Sequence, residues 1–169
     1  MDNEYNQLGE LPSNQHLKEL ANSSEFFTIN QLKSGYGQME IIHGLDLFVD
    51  KKQSLCLIGP NGAGKSTVLH SIFGFTNIYE GKIYIEGNDI TKLSSAQKLK
   101  NSGIAYIMQE NSIFPDMTVE ENLLMGAYLL DKNSNAKNEV LNVLNKYERL
   151  NNRRNQPAKV LSGGERRLL

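Results

Sequence analysis

Gly59-Pro60-Asn61-Gly62-Ala63-Gly64-Lys65-Ser66 packs three glycines, a lysine and a hydroxyl into eight consecutive residues. A polyphosphate presents many anionic oxygens in a small volume and needs a matching density of donors. Backbone N–H groups supply them where the chain curls without Cβ atoms in the way, and Gly59, Gly62 and Gly64 permit that curl. The spacing matches G-x-x-x-x-G-K-[ST] in full. Lys65 offers a full positive charge to the β- and γ-phosphates, the Ser66 hydroxyl suits Mg²⁺, and Thr67 can donate to the α-phosphate. The flanks agree with the motif. Ser54-Leu55-Cys56-Leu57-Ile58 is a continuous apolar run, expected as a strand buried on both faces. Residues 67–73 follow with a helical pattern, so a helix beginning near Lys65 aims its free N–H groups and positive end at the phosphates. Lys65→Ala is expected to abolish tight triphosphate binding.

The elements that must position this loop are legible in outline. Residues 26–32 are apolar and β-prone and run to a turn at Ser34-Gly35-Tyr36-Gly37. A second strand is expected at Leu45-Asp46-Leu47-Phe48-Val49, with a hairpin turn at Asp50-Lys51-Lys52. Residues 81–88 alternate and read as a strand with a turn, residues 94–101 as a short polar helix, and residues 104–108 as a second buried strand. From about 115 to 150 the pattern is helical. Thr118 and Glu121 form a capping box, as do Ser162 and Glu165. Val140, Leu141, Leu144 and Tyr147 make an apolar stripe read as core. Residues 1–24 are polar and aperiodic, expected as a flexible extension with at most a short helix at 16–20.

The chain has 169 residues and a formal net charge of −1, which argues against a general nucleic-acid binder. Its 39% hydrophobic and 22% charged residues suit one globular core rather than a disordered chain. The single cysteine, Cys56, excludes an intramolecular disulfide. No run approaches the ~20 apolar residues of a membrane span, and the start carries no signal-type apolar core. The expectation is a soluble, intracellular protein.

A second motif narrows the class. Leu161-Ser162-Gly163-Gly164-Glu165 resembles the signature of ABC-transporter ATPases, LSGGQ, with Glu at the fifth place. It lies about a hundred residues after the P-loop, as in that family. Gln109 follows the run 104–108, where the family has its Q-loop glutamine, and Tyr36 stands where the family places an aromatic residue to stack on adenine. The resemblance covers residues 26–169. It implies an α/β P-loop fold of ABC ATPase type: a mixed sheet core, an antiparallel β subdomain and an α-helical subdomain at about 115–160. It also implies a head-to-tail dimer of two ATPase subunits, each ATP held by the P-loop of one and the signature of the other. Ser162, Gly163, Gly164 and Glu165 would then serve the partner's nucleotide. Gln109 would sense the γ-phosphate or Mg²⁺ and act as the catalytic-side and metal-side residue, with Ser66 as the other metal ligand. ATP and Mg²⁺ are the implied cofactors. Integral membrane permease subunits are the implied partners, with a periplasmic binding protein engaged indirectly. The implied location is the cytoplasmic face of the cell membrane.

Within the family the chain is similar to branched-chain amino-acid importer ATPases. Ser34-Gly35-Tyr36-Gly37, His43-Gly44-Leu45, Ile90-Thr91, Gly126-Ala127-Tyr128, Glu165 and the stretch from Ile113-Phe114-Pro115-Asp116 through Asn122-Leu123 carry that likeness. Gln109 departs from it, since that group often has Glu there, and urea-type importers and lipopolysaccharide export ATPases are the alternatives. The family also has a Walker B strand ending in Asp-Glu, a D-loop and a switch histidine after the signature. Asp116, Glu120 and Glu121 follow no buried strand, Ile85-Glu86 precedes a polar helix, and His16, His43 and His70 precede the signature. His43 and His70 read as surface or packing residues. The expectation is therefore a C-terminally incomplete ABC domain that hydrolyses ATP negligibly alone. The alternative is a naturally short, non-hydrolysing ATP-binding regulator.

Overall fold

The computed structural model describes residues 13–20, 26–108, 112–129 and 135–169. It divides into two compact units, residues 1–105 and 106–169.

The first unit holds α1 (Asn14–Leu20), β1 (Phe27–Tyr36), β2 (Met39–Val49), α2 (Lys65–Phe73), β3 (Asn77–Ile85), β4 (Asn88–Asp89) and α3 (Ser95–Ser102). The four strands form one sheet in the order β2-β1-β3-β4, every pair antiparallel. Ile29, Leu32 and Ile83 cluster in one buried core, the register shift between Ile29 and Leu32 bringing both into it despite their odd spacing; Ile90 joins them and Leu45, Leu47, Ile72 and Leu93 pack alongside. The β1–β2 connection depends on Gly35: a Cβ there would stand 1.8 Å from the Met39 carbonyl oxygen. The expected strand at 81–88 resolves into β3 and β4, joined by Glu86 and Gly87 with φ of 47° and 77°. Two consecutive positive φ values match the right-handed twist of the flanking strands.

Polar groups lock α2 to its surroundings. Ser71 Oγ, fully buried, donates to the Thr67 carbonyl at 2.7 Å and lies 2.7 Å from Ser34 Oγ of β1. Thr76 Oγ1 donates to it at 2.9 Å. At the same C-terminal end of the helix the Lys98 ammonium, 0% exposed, donates to the Ile72 carbonyl at 2.9 Å and the Ser71 carbonyl at 3.4 Å. Burial pulls the Lys98 pKa below the ordinary lysine value. A cation at a helix C-terminus is favourable because the last carbonyls have no intrahelical donors.

Two strand expectations fail. Residues 54–58 and 104–108 are irregular, and Ile58 and Ile107 are 92% and 86% exposed. A buried parallel strand draws hydrogen bonds from neighbours along its edges. Among the described residues neither run has such a neighbour, so apolar composition alone does not make it a strand. A turn does form at 50–53, with Gln53 N donating to the Asp50 carbonyl at 3.2 Å, but no strand follows to complete a hairpin.

The second unit is helical: α4 (Val119–Gly126), α5 (Ala136–Lys146), α6 (Glu148–Asn151) and α7 (Gly163–Leu168), with short 3₁₀ turns at Ala127–Leu129 and Ala158–Val160. Val119, Val140, Leu144, Leu150, Ala158 and Leu161 form its core. Of the expected stripe, Val140 and Leu144 are buried and Tyr147 packs against them, whereas Leu141 is exposed. One residue on from Val140, it has turned ~100° away. Arg154 holds Glu120 through two bonds, Nη2 to Oε1 at 2.7 Å and Nε to Oε2 at 3.2 Å. Beside them Val119 N donates to the Gln156 carbonyl and Ala158 N to the Met117 carbonyl.

Of the extension expected at 1–24, only residues 13–20 are described, and Asn14–Leu20 forms α1. Among the described residues no helix is long and apolar enough to cross a membrane.

Candidate functional site

α2 begins as the P-loop spacing requires, at Lys65. Its N-cap is Gly64, in the left-handed region with φ 84°, and no side chain caps the helix. The helix therefore presents its first-turn N–H groups without a capping side chain, an arrangement that favours an anion. Glycine is required at Gly64 on two counts: φ is positive, and a Cβ would stand 2.9 Å from Ile42 Cδ1. Gly62 also has positive φ, 86°, and nothing lies within 4 Å of where its Cβ would sit. Gly59, Pro60, Asn61, Gly62, Ala63 and Ser66 are exposed, Lys65 is half-buried and Thr67 is buried.

Lys65 folds back over its own loop, donating to the carbonyls of Gly59 at 2.9 Å and Pro60 at 2.7 Å. These contacts hold the ammonium within the loop. A polyphosphate on the N–H groups would offer it anionic acceptors, and charge-assisted hydrogen bonds to such acceptors are stronger than bonds to neutral carbonyls.

Tyr36 ends β1 and is 42% exposed. Its hydroxyl lies 2.5 Å from His70 Nδ1 on α2. His70, expected as a surface or packing residue, thus also makes a specific polar contact, which its isolated place in the sequence did not signal.

The signature segment is built differently. Ser162 caps α7: its Oγ accepts from Glu165 N at 3.3 Å, and Glu165 Oε2 accepts from Ser162 N at 2.8 Å. These bonds hold the Glu165 carboxyl below the usual glutamate pKa, first through the Ser162 N–H, then its hydroxyl, then the charges of Arg153 and Arg149. Arg153 Nε stands 3.3 Å from Glu165 Oε1. Gly163 and Gly164 occupy the first turn of α7, and nothing lies within 4 Å of where either Cβ would sit.

The first unit brings Tyr36 to the helix that carries Lys65, Ser66 and Thr67. Ser162, Gly163, Gly164 and Glu165 lie in the second unit, and Gln109 lies outside the described residues. Lys98 and Arg153 escaped the sequence reading because a lysine in a polar helix and an arginine in a loop read as solvated charge.

The donor set suits a nucleoside triphosphate: an uncapped helix start, a flexible ammonium above it and an aromatic ring joined to the same helix. Among the described residues no group of three or more His, Cys, Asp and Glu could hold a metal. A Mg²⁺ ion would rest on the Ser66 hydroxyl and on phosphate oxygens.

Comparison with known proteins agrees with this geometry. Residues 42–169 match the family described as "ABC transporter". A probable branched-chain amino acid transport ATP-binding protein, LivF, of Archaeoglobus fulgidus is 37% identical over 82% of the chain and 58% of its own length. The lipopolysaccharide export system ATP-binding protein LptB of Haemophilus influenzae is 33% identical over 83% of the chain and 58% of its own. The crystal structure of the ADP conformation of an ATP-binding cassette of an ABC transporter superposes with a TM-score of 0.71 at 30% identity, covering 85% of this chain and 61% of that one. The chain thus spans about three fifths of the length of these relatives.

Proposed function

Because the chain belongs to the ABC transporter family, we propose that it binds ATP as the nucleotide-binding subunit of a transporter. The observation that carries this reading is a complete P-loop delivered onto the uncapped start of α2, with Lys65 poised 2.7–2.9 Å above two loop carbonyls. In this reading Gly59 to Gly64 wrap the β-phosphate with backbone N–H groups. Lys65 leaves the Gly59 and Pro60 carbonyls for the β- and γ-phosphates, Ser66 holds Mg²⁺, Thr67 donates to the α-phosphate, and Tyr36 stacks on the base. Such stacking contributes about 1–3 kcal/mol. Bound Mg²⁺ supplies charge neutralisation between the phosphates.

The signature serves a second subunit's nucleotide. The Ser162 hydroxyl accepts one bond from Glu165 N, and its proton, which otherwise serves the Glu165 carboxylate, turns to a γ-phosphate oxygen. Gly163 and Gly164 add backbone N–H groups. Arg153 beside Glu165 offsets a carboxylate that would otherwise repel that phosphate. Gln109 senses the γ-phosphate, and the helices of 115–160 face permease subunits at the cytoplasmic side of the membrane. The reaction coupled to transport is ATP hydrolysis. The cargo is a branched-chain amino acid or a related small solute, a reading supported by the 113–123 stretch, Glu165 and the LivF relative.

Isothermal titration with MgATP tests the binding reading: the wild-type chain should bind and Lys65→Ala should not. Equal affinity in both would end it. The cargo is tested in the native cell, where loss of the gene should abolish ATP-driven leucine uptake; undiminished uptake would redirect the cargo.

A further inference from the structure

Tyr36 is anchored at three levels. Its backbone leads into a turn that β3 clasps, since the Gly37 carbonyl accepts from Asn77 Nδ2 at 2.9 Å and from the Tyr79 hydroxyl at 3.0 Å. Gly35 before it packs too closely on Met39 for any side chain. Its own side chain is held at the tip, where the hydroxyl meets His70 Nδ1.

We propose that His70 is a positioning residue, setting the Tyr36 ring for the nucleobase and making the site's affinity depend on the base; this rests on the nucleotide reading given above. The rings of Tyr36 and His70 stand 6.2 Å apart at 79°. A contact made at the hydroxyl, with the planes nearly perpendicular, leaves the faces of the tyrosine uncovered by the imidazole. The imidazole is itself wedged: Phe75 meets it edge to face at 5.7 Å and 75°, and Phe73 backs Phe75 at 4.9 Å. With the Tyr36 backbone fixed, the hydrogen bond removes the rotamer freedom that an exposed tyrosine would lose on stacking. His70 and Lys65 also share α2, so base and phosphate subsites are referred to one rigid element.

The test is calorimetric titration of the full 169-residue chain with ATP and, separately, with inorganic tripolyphosphate, which has no base. His70→Phe keeps an aromatic ring against Phe75 and removes the hydrogen bond. It should weaken ATP about three- to tenfold, the usual effect of one lost hydrogen bond, and leave tripolyphosphate within about twofold. Tyr36→Phe removes the same bond from the other side, keeps the stacking ring, and should match it. The double variant should be no weaker than either single. Unchanged ATP affinity in His70→Phe overturns the proposal. So does an equal loss for both ligands, which would mark a general structural role, or losses that multiply in the double variant. If His70→Phe fails to fold, Tyr36→Phe carries the same comparison alone. Wild-type chain that binds ATP no more tightly than tripolyphosphate ends the nucleobase reading of Tyr36 itself, a failure distinct from the others.

Discussion

The starts of α2 and α7 are two answers to one problem. Both helices begin with first-turn N–H groups that no intrahelical carbonyl can satisfy. At α7, Ser162 and Glu165 satisfy them reciprocally, and Arg153 steadies the carboxylate. The same device caps α3 through Ser94 and Gln97 and α4 through Thr118 and Glu121. At α2 the capping position is Gly64 and no side chain answers. A capping box thus closes these three helix starts, and none closes the start that carries the P-loop. In the proposed reading a ligand supplies the missing acceptors, and binding stabilises the fold by mass action.

The contrast can be broken most forcefully at Lys65. Lys65→Ala should lower ATP affinity a hundredfold or more while the melting temperature in the absence of nucleotide barely moves; a protein that instead melts early would make Lys65 a structural residue. Gly64→Ser gives α2 the cap that it lacks. Its φ of 84° and the Ile42 methyl 2.9 Å from a new Cβ should cost about 1–2 kcal/mol in a urea titration and weaken ATP at least tenfold. An unaltered affinity would show that the open start is not what receives the phosphates.

Ser162→Ala should do the reverse. It should lose ~1 kcal/mol of stability and leave the chain's own ATP affinity unchanged. The smallest expected effect is in pH. Glu165 and Glu121 have folded pKa values below their ordinary ones, so they release protons on folding. Their contribution is present above the ordinary glutamate pKa and fades as pH falls through the lower folded value. Asp89, held at about 2 by Lys82 and Thr91, extends that loss down to pH ~2. Amide protection factors, corrected for the intrinsic rate at each pH, should therefore fall in the first turns of α4 and α7 on acidification while α2, with no acidic residue in its first turn, is spared. Equal acid response at α2 and α7 would remove the distinction.

Much of this site was legible because its information is short-range. The P-loop occupies eight residues, and each capping box closes over three. The i to i+3 geometry of a helix start is the same in any fold, so α2, α3, α4 and α7 begin where their residues indicate. The tip of β1 was visible only as a turn. That Tyr36 reaches His70, 34 residues on, depends on how α2 lies against the sheet.

Legible in the residues alone were the phosphate-binding loop, the four helix starts, parts of β1, β2 and β3, and the family. Each is encoded by residue type at fixed local spacing. The tertiary structure decided the rest. It buried Lys98 beneath the end of α2, paired Arg153 with Glu165, and joined Tyr36 to His70. It left residues 54–58 and 104–108 outside the sheet despite their apolar composition. The physical reason is common to all of these. A side chain's burial and a strand's hydrogen bonds depend on partners distant in sequence, and composition reports only what a segment could bury or pair.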